Sequence, residues 1–388
     1  MECSGPRQAS CVEIMDRALA LEYAGNDVIH LEKGELDFDT PEVIKESAIR
    51  AIRDGRTRYT PSFGLPELRE AICEHYLRTY GVRLAPTQIV VNSGSSPAML
   101  ALFLAILAAG DEVILSNPGY RPYGTCVELA GAKPVYVGTR HRAFAYTAAS
   151  AADHISTATR AIVINFPSNP VGSVIDRHAL EQFARLGPLI VSDEVYHGLD
   201  FDGVRQHSIL EVTNEAVVAN SFSKAFAMTG WRLGYLIVPD RLVPAVKTLQ
   251  QDCFISPNAF VQWAGIAALA NAESILAKWR GELSRRRDCL LGGLRRLGFE
   301  IPCIPQGAFY LFARLPLTGQ ASSRFATDLL ERVHVAVTPG TEFGSDGEGY
   351  VRFSYAASCD RIEEAIERMS RFLAAESTGP TRTGGGQP

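Results

Sequence analysis

The stretch SFSKAFAMTGWRLGY (221–235) decides how the rest of the chain is read. Strand-like runs flank it, EAVVANSF before and WRLGYLIVP after. The hydroxyls of Ser221 and Ser223 precede Lys224, and Arg232 follows among apolar neighbours. A lysine in such company is rarely buried without a partner or a task. With an ordinary pKa near 10.4, only about one lysine in 2,500 is neutral at pH 7. A covalent bond to a carbonyl group removes that difficulty and makes the amine a nucleophile and proton carrier. Taken alone, Lys224 also reads as a strand-end lysine reaching solvent, with Arg232 in a surface ion pair. Its surroundings decide between the two.

Working outward, Val/Ile-rich runs recur at 88–92, 111–117, 134–138, 160–166, 188–194 and 216–222, with helical segments at 97–109, 120–130 and 176–186 between them. Such runs, alternating with helices, predict a parallel sheet covered on both faces. Strand order does not follow from the pattern. The segment 97–109, PAMLALFLAILAA, is apolar on every face, so a buried crossover helix is expected. It is too short to span a bilayer. Upstream, helices are expected over 11–24, from an N-cap at Thr40 with Pro41 behind it to about Asp54, and over 66–80. Beyond Pro239 come helices near 240–252, 257–270 and 272–297, the last long enough to bridge two domains. Strand-like segments within 305–315, 333–340 and 350–356, with helices at 322–333 and 359–375, predict a smaller α+β domain. The expected division is a large domain over 46–284, a small one from 1–45 with 285–375, and a disordered Gly/Pro/Thr-rich tail at 376–388.

Composition narrows the function classes. Of 388 residues, 46% are hydrophobic and 21% charged, as in an ordinary globular protein. A net charge of −5 offers no basic field for nucleic acid, and no Lys/Arg block points to a membrane surface. The eight cysteines are scattered, without metal-ligand spacing, and read as thiols of a reducing compartment. The N-terminus lacks the apolar core of a signal peptide. A soluble cytoplasmic protein without a metal is expected.

The pattern Ser-x-Ser-Lys, then Gly-x-Arg-x-Gly-Tyr, is present as Ser221, Ser223, Lys224, Gly230, Arg232, Gly234 and Tyr235. It resembles the cofactor-lysine motif of the class I/II aminotransferases, pyridoxal 5'-phosphate enzymes of fold type I. The resemblance runs from about residue 31 to 370. It implies that Lys224 binds the cofactor covalently and moves the proton during catalysis. Gly94, Ser95 and Ser96, at a helix N-terminus where unpaired N–H groups favour an anion, would hold the phosphate with Arg232, Ser221 and Ser223. Asp193, in SDEVYHG, would keep the ring nitrogen protonated, and Tyr196 and Asn169 would donate to the ring's 3′ oxygen. Tyr120, in NPGYRPY, would stack on the ring, and the Asn169–Pro170 bond is a candidate cis peptide. Arg352, inside the apolar strand GYVRFSY, would grip the substrate's α-carboxylate together with Asn169, with Gly34 close by. Without such a carboxylate, Arg352 reads as half of a buried Arg–Asp bridge. Tyr59 is implied as a phosphate ligand donated by a second copy, so that the active sites exist only in a homodimer.

Two departures stand out: Leu36 replaces the proline of the family's Gly-x-Pro-Asp-Phe turn, and Val171 replaces the threonine of Asn-Pro-Thr-Gly. Both leave room for a lyase, decarboxylase or oxidase on the same scaffold. A sensor domain of a DNA-binding regulator is disfavoured, because fewer than 30 residues precede the matched region. A dinucleotide oxidoreductase is set aside because no G-x-G-x-x-G follows the first strands. One dicarboxylate-using branch of the family carries a lysine where Ser96 stands, so a neutral, aromatic or basic amino acid is expected. Arg121, beside Tyr120, is the one basic residue that would argue otherwise.

Overall fold

The structure, a computed structural model, describes residues 11–317 and 319–378. After a two-residue strand β1 (Ile29–His30), seven strands build the main sheet. They are β2 (Ile89–Asn92), β3 (Glu112–Asn117), β4 (Lys133–Gly138), β5 (Thr159–Asn165), β6 (Leu189–Asp193), β7 (Val217–Ser221) and β8 (Gly234–Ile237). Their order is β2-β8-β7-β6-β5-β3-β4. Strands β3 to β7 run parallel, and β8 is antiparallel to both of its neighbours. The physical reason lies in the connection. A parallel return needs a long crossover, whereas the segment between β7 and β8 holds only the four-residue helix Phe222–Ala225.

Alternation along these strands fills two layers, as the period of two demands. Ile114, Ile162, Ile164 and Ile190 face one core, under the helices Pro66–Tyr80, Arg177–Ala184 and Ala259–Ala270. Val113, Leu115, Val163 and Val191 face the other, under Ser95–Ile106. That helix begins two residues earlier than its apolar run and is not buried all round: Leu104 is 42% exposed. A helix covering one face of a sheet has its own outer flank.

Four further strands follow: β9 (Tyr310–Arg314), β10 (Val335–Ala336), β11 (Thr338–Pro339) and β12 (Tyr350–Ser354). The last two and β9 form an antiparallel sheet in the order β11-β12-β9, while β1 pairs with β10 in parallel and ties the N-terminal segment to this region. The expected single strand at 333–340 is therefore two short ones that join different sheets. The helix Ala272–Arg296 packs against the final helix, Cys359–Thr378, with Gly293 directly under Ile366. That final helix takes in 376–378 of the expected disordered tail, where Glu376 pairs with Arg332. Residues 379–388 of that tail lie outside the described residues.

Thr40 is not the helix cap expected of it. Pro41 holds that position before Glu42–Arg53, and no side chain caps the helix. The Thr40 hydroxyl donates instead to Ala227 O at 2.6 Å, joining the N-terminal segment to the lysine loop. Among the described residues no single helix is long and apolar enough to cross a membrane.

Candidate active site

The carboxyl ends of β5 and β6, the turn after β2 and the short helix after β7 meet at a cleft of about 330 Å³. Ligands of open α/β sheets bind at such strand ends.

Asp193 ends β6 and lies beside Asn165 of β5. Its carboxylate is buried; Oδ2 accepts from the Tyr123 hydroxyl and Oδ1 from the Val195 N–H at 3.2 Å. Burial pushes its pKa up to about 6, opposed by the Tyr123 donor, the Val195 N–H and the Lys224 charge. The adjacent Glu194 serves the fold: its Oε1 accepts from the hydroxyls of Ser192 and Ser208 and from the Ile209 N–H, each at 3.0 Å.

Lys224 sits on the helix that Ser221 caps, the Ser221 Oγ accepting from the Ser223 N–H at 3.1 Å. Its Nζ donates to Gly34 O at 2.5 Å. Burial lowers its pKa to about 8, with Arg352 lowering it further and Glu35 opposing. Roughly one amine in ten is then neutral at pH 7, about two hundred times the ordinary share.

Ser95 and Ser96 open the helix after β2, and Gly94 caps it at φ +105°. A Cβ on Gly94 would collide with the guanidinium of Arg232, so only glycine lets that cation lie against the helix N-terminus. Arg232 is held there by donating from Nη1 to Thr229 O at 2.9 Å. Ser221 and Ser223, with hydroxyls 2.9 Å apart, border the same end.

At the opposite end Arg352 is buried on β12. It donates to Asn169 Oδ1 at 2.9 Å, Glu32 O at 2.6 Å and Thr338 Oγ1 at 3.2 Å, while its Nε has no partner. None of these acceptors is an aspartate, so the buried Arg–Asp bridge is not what holds it. The guanidinium stacks 4.2 Å from the Tyr310 ring centroid. Asn169 precedes a cis bond to Pro170 and is held by its own N–H donating to Asn165 Oδ1 at 2.9 Å. Tyr196 and Tyr310 place their hydroxyls 3.0 Å apart, and Tyr120 also lines the cleft. The departing residue Val171 packs in a small apolar cluster with Phe312 and Phe343, where a threonine hydroxyl would have no use.

Of the residues singled out from sequence, Gly34, Ser95, Ser96, Tyr120, Asn169, Asp193, Tyr196, Ser221, Ser223, Lys224, Arg232 and Arg352 all line the cleft, and Gly94 backs it. Tyr59 is not brought there; it stands 84% exposed on the surface of its own chain. Three contributors were missed. Tyr123 lies three residues after Tyr120, a helical spacing that shares a face. Asn165 is the first residue of the run NFPSNP. Tyr310 sits on the strand paired with that of Arg352, and no sequence signal marks it.

The donor set fits pyridoxal phosphate. A carboxylate stands at one end for a ring nitrogen, and a lysine of lowered pKa lies between. A helix N-terminus with hydroxyls and a guanidinium offers a dianion its site. Among the described residues no cluster of metal-ligating side chains occurs.

Comparison with known proteins agrees with this geometry. The family described as aminotransferase class I and II matches residues 26–369. The chain is 39% identical to the (5-formylfuran-3-yl)methyl phosphate transaminase of Methanocaldococcus jannaschii, covering 93% of this chain and 96% of that protein. It is 38% identical to an aspartate aminotransferase of Pyrococcus horikoshii, covering 94% of each. The solved aromatic aminotransferase of Pyrococcus horikoshii superposes with a TM-score of 0.87 at 38% identity, over 94% of this chain and 99% of that one.

Proposed function

The chain belongs to the class I and II aminotransferases, and we propose that the cleft around Lys224 is where it exchanges an amino group between an L-amino acid and a 2-oxo acid. It is a pyridoxal-phosphate-dependent transaminase of fold type I. The observation that carries the site assignment is the meeting of Lys224, Asp193 and Arg352 in one cleft from three separate elements.

When bound, pyridoxal phosphate supplies an electron sink for the substrate's Cα. The chain's own groups do the rest. Lys224 would hold the cofactor and would carry the proton that leaves Cα. Asp193 would keep the ring nitrogen protonated, and Tyr196 and Asn169 would donate to the ring oxygen. Ser95, Ser96, Ser221, Ser223 and Arg232 would hold the phosphate against the helix N-terminus. Arg352 and Asn169 orient the α-carboxylate, and Tyr310 keeps the guanidinium plane in place. The small-domain segments 1–45 and 285–375 contribute Gly34, Tyr310 and Arg352 against a large domain over 46–284.

Three cations line the cleft: Lys224, Arg232 and Arg352. All three have a task, which leaves none for a second substrate carboxylate. Arg121 is not among the lining residues; it is mostly exposed and lies 3.6 Å from Glu342. A neutral, aromatic or basic amino donor therefore fits best. The exposed Tyr59 is the residue a homodimer would use, each chain lending its tyrosine to the other's phosphate. A cytoplasmic setting agrees with the free thiols of Cys73, Cys126, Cys253, Cys289, Cys303 and Cys359.

A donor panel tests this reading. With one 2-oxo acid as acceptor, aromatic or neutral amino acids should turn over fastest, and omission of the acceptor should stop the reaction after a single exchange. Faster turnover with aspartate overturns the substrate class. Sustained product without acceptor overturns transamination.

A further inference from the structure

A second cavity, of about 500 Å³, lies behind the lysine helix and is larger than the cleft just described. Ser221 lines both. The volume falls within the range of small-molecule sites.

Its rim carries three arginines from three elements: Arg78 on Pro66–Tyr80, Arg205 in the segment after β6, and Arg280 on Ala272–Arg296. Their carboxylate contacts are long. Arg78 is 3.6 Å from Glu74, Arg205 3.4 Å from Glu211 and Arg280 3.9 Å from Asp200. Arg286 and Arg287, by comparison, each meet an aspartate at 2.6 Å. Glu211 is moreover already engaged by His207 at 3.1 Å and by the Ser208 N–H at 3.1 Å. Two carboxylates, Asp200 and Glu273, line the cavity beside the three guanidinium groups.

The interior is aromatic. Tyr80, His197, Phe222, Phe226 and Tyr235 line it, with Tyr80 and His197 joined by a 2.7 Å hydrogen bond. His75, also lining, has its pKa lowered to about 4 by burial and then by Arg78, so it adds no charge at neutral pH. Gln206 is buried in the wall; its Oε1 accepts from the Gly198 N–H at 2.9 Å and its Nε2 has no partner. A donor-rich rim over an aromatic floor calls for a planar ring bearing an acid.

We propose that this cavity is a second ligand site for aryl carboxylates, the acid held by Arg78, Arg205 and Arg280 and the ring lying among Tyr80, Phe226 and His197. The site faces the helix of Lys224 from behind, and its occupancy does not involve Arg352.

Calorimetric titration of the cofactor-loaded enzyme with indole-3-acetate tests this directly, without reliance on turnover. The probe has no amino or 2-oxo group to react. Binding should persist in Arg352→Ala, which removes the clamp of the active site. It should weaken about tenfold or more in the double variant Arg205→Ala/Arg280→Ala, since each loses a charge-assisted contact. It should be blocked in Thr79→Trp, where an exposed rim residue is enlarged to fill the cavity. Circular dichroism matching the parent shows that the variants fold. Loss of binding in Arg352→Ala, unchanged binding in both rim variants, or no binding heat at millimolar probe overturns the proposal.

Discussion

Replacing Tyr123 by phenylalanine removes one hydroxyl and leaves the ring that packs 5.2 Å from Tyr120 in place. That hydroxyl donates to Asp193 Oδ2, and the remaining donor to the carboxylate is the Val195 N–H at 3.2 Å. A hydrogen bond to a charged group contributes about 1.5–3 kcal/mol. Since one pKa unit corresponds to about 1.36 kcal/mol, the Asp193 pKa should rise by roughly 1–2 units in the variant. The sign follows from the parent protein, where burial already holds this acid up at about 6 and Tyr123 is the leading opposing influence. Losing that influence makes the ionised form scarcer at neutral pH. Turnover at pH 7 should fall about two- to tenfold, and the acid limb of the pH–rate profile should move up by roughly 1–2 pH units. Part of the loss should return by pH 9. The KM for the amino acid should hold, because Arg352 and Asn169 are untouched. Steady-state kinetics of both proteins between pH 6 and 9.5 measure all of this. Superimposable pH profiles, or a loss equal at every pH, would refute the view that Tyr123 acts through the Asp193 charge.

Lys224→Ala and Lys224→Arg should both lose turnover while still binding cofactor noncovalently, since neither offers a nucleophilic amine; borohydride treatment of the parent should label Lys224, and a labelled peptide elsewhere would sink the assignment. Arg352→Lys should raise the KM for the amino donor strongly and lower kcat, because a point charge cannot reproduce the planar fork; unchanged kinetics with reduced stability would make the residue structural. Mixed dimers of Lys224→Ala and Tyr59→Ala chains should regain one intact site and exceed the weighted activity of the two parents, and mixed dimers without that gain would show that Tyr59 stays on its own side. Arg361 first, and Arg368 after it, hold the Asp27 carboxyl down at about 2; the stability lost in Asp27→Asn should therefore be full above the ordinary aspartate pKa and vanish as pH falls toward 2, as thermal melts across that window will read, and a difference that persists at pH 2 would contradict the ionic origin.

Most of the lining of the cleft was legible because its chemistry is carried by short contiguous motifs. Ser221, Ser223, Lys224 and Arg232 stand within one short stretch, and Gly94 to Ser96 within one helix start, so the two motifs taken together pointed to an anion site beside an amine. Tyr123 and Tyr310 escaped because their roles exist only across elements. One completes a carboxylate on β6 from a helix after β3, and the other lies flat on an arginine of the neighbouring strand. The misplaced cap at Thr40 has the same origin. A hydroxyl followed by proline reads as a helix start, but a carbonyl 187 residues away in sequence competes for it and wins.

Periodicity by itself determined the alternation of strands and helices and the two-faced core, and the motif resemblance pointed to the family and to Lys224 as the expected cofactor lysine. These are properties of single segments, set by which side chains can be buried at a spacing of two or of 3.6 residues. The strand order, the antiparallel return of β8 and the split of 333–340 between two sheets were decided only in three dimensions, because pairing depends on which distant segments meet. So were the charges. Lys224 is brought to a pKa of about 8 and Asp193 to about 6 by exclusion of water and by the groups brought against them from elsewhere in the chain. A side chain's identity is written in the sequence, but its acidity is set by neighbours that the sequence places far away.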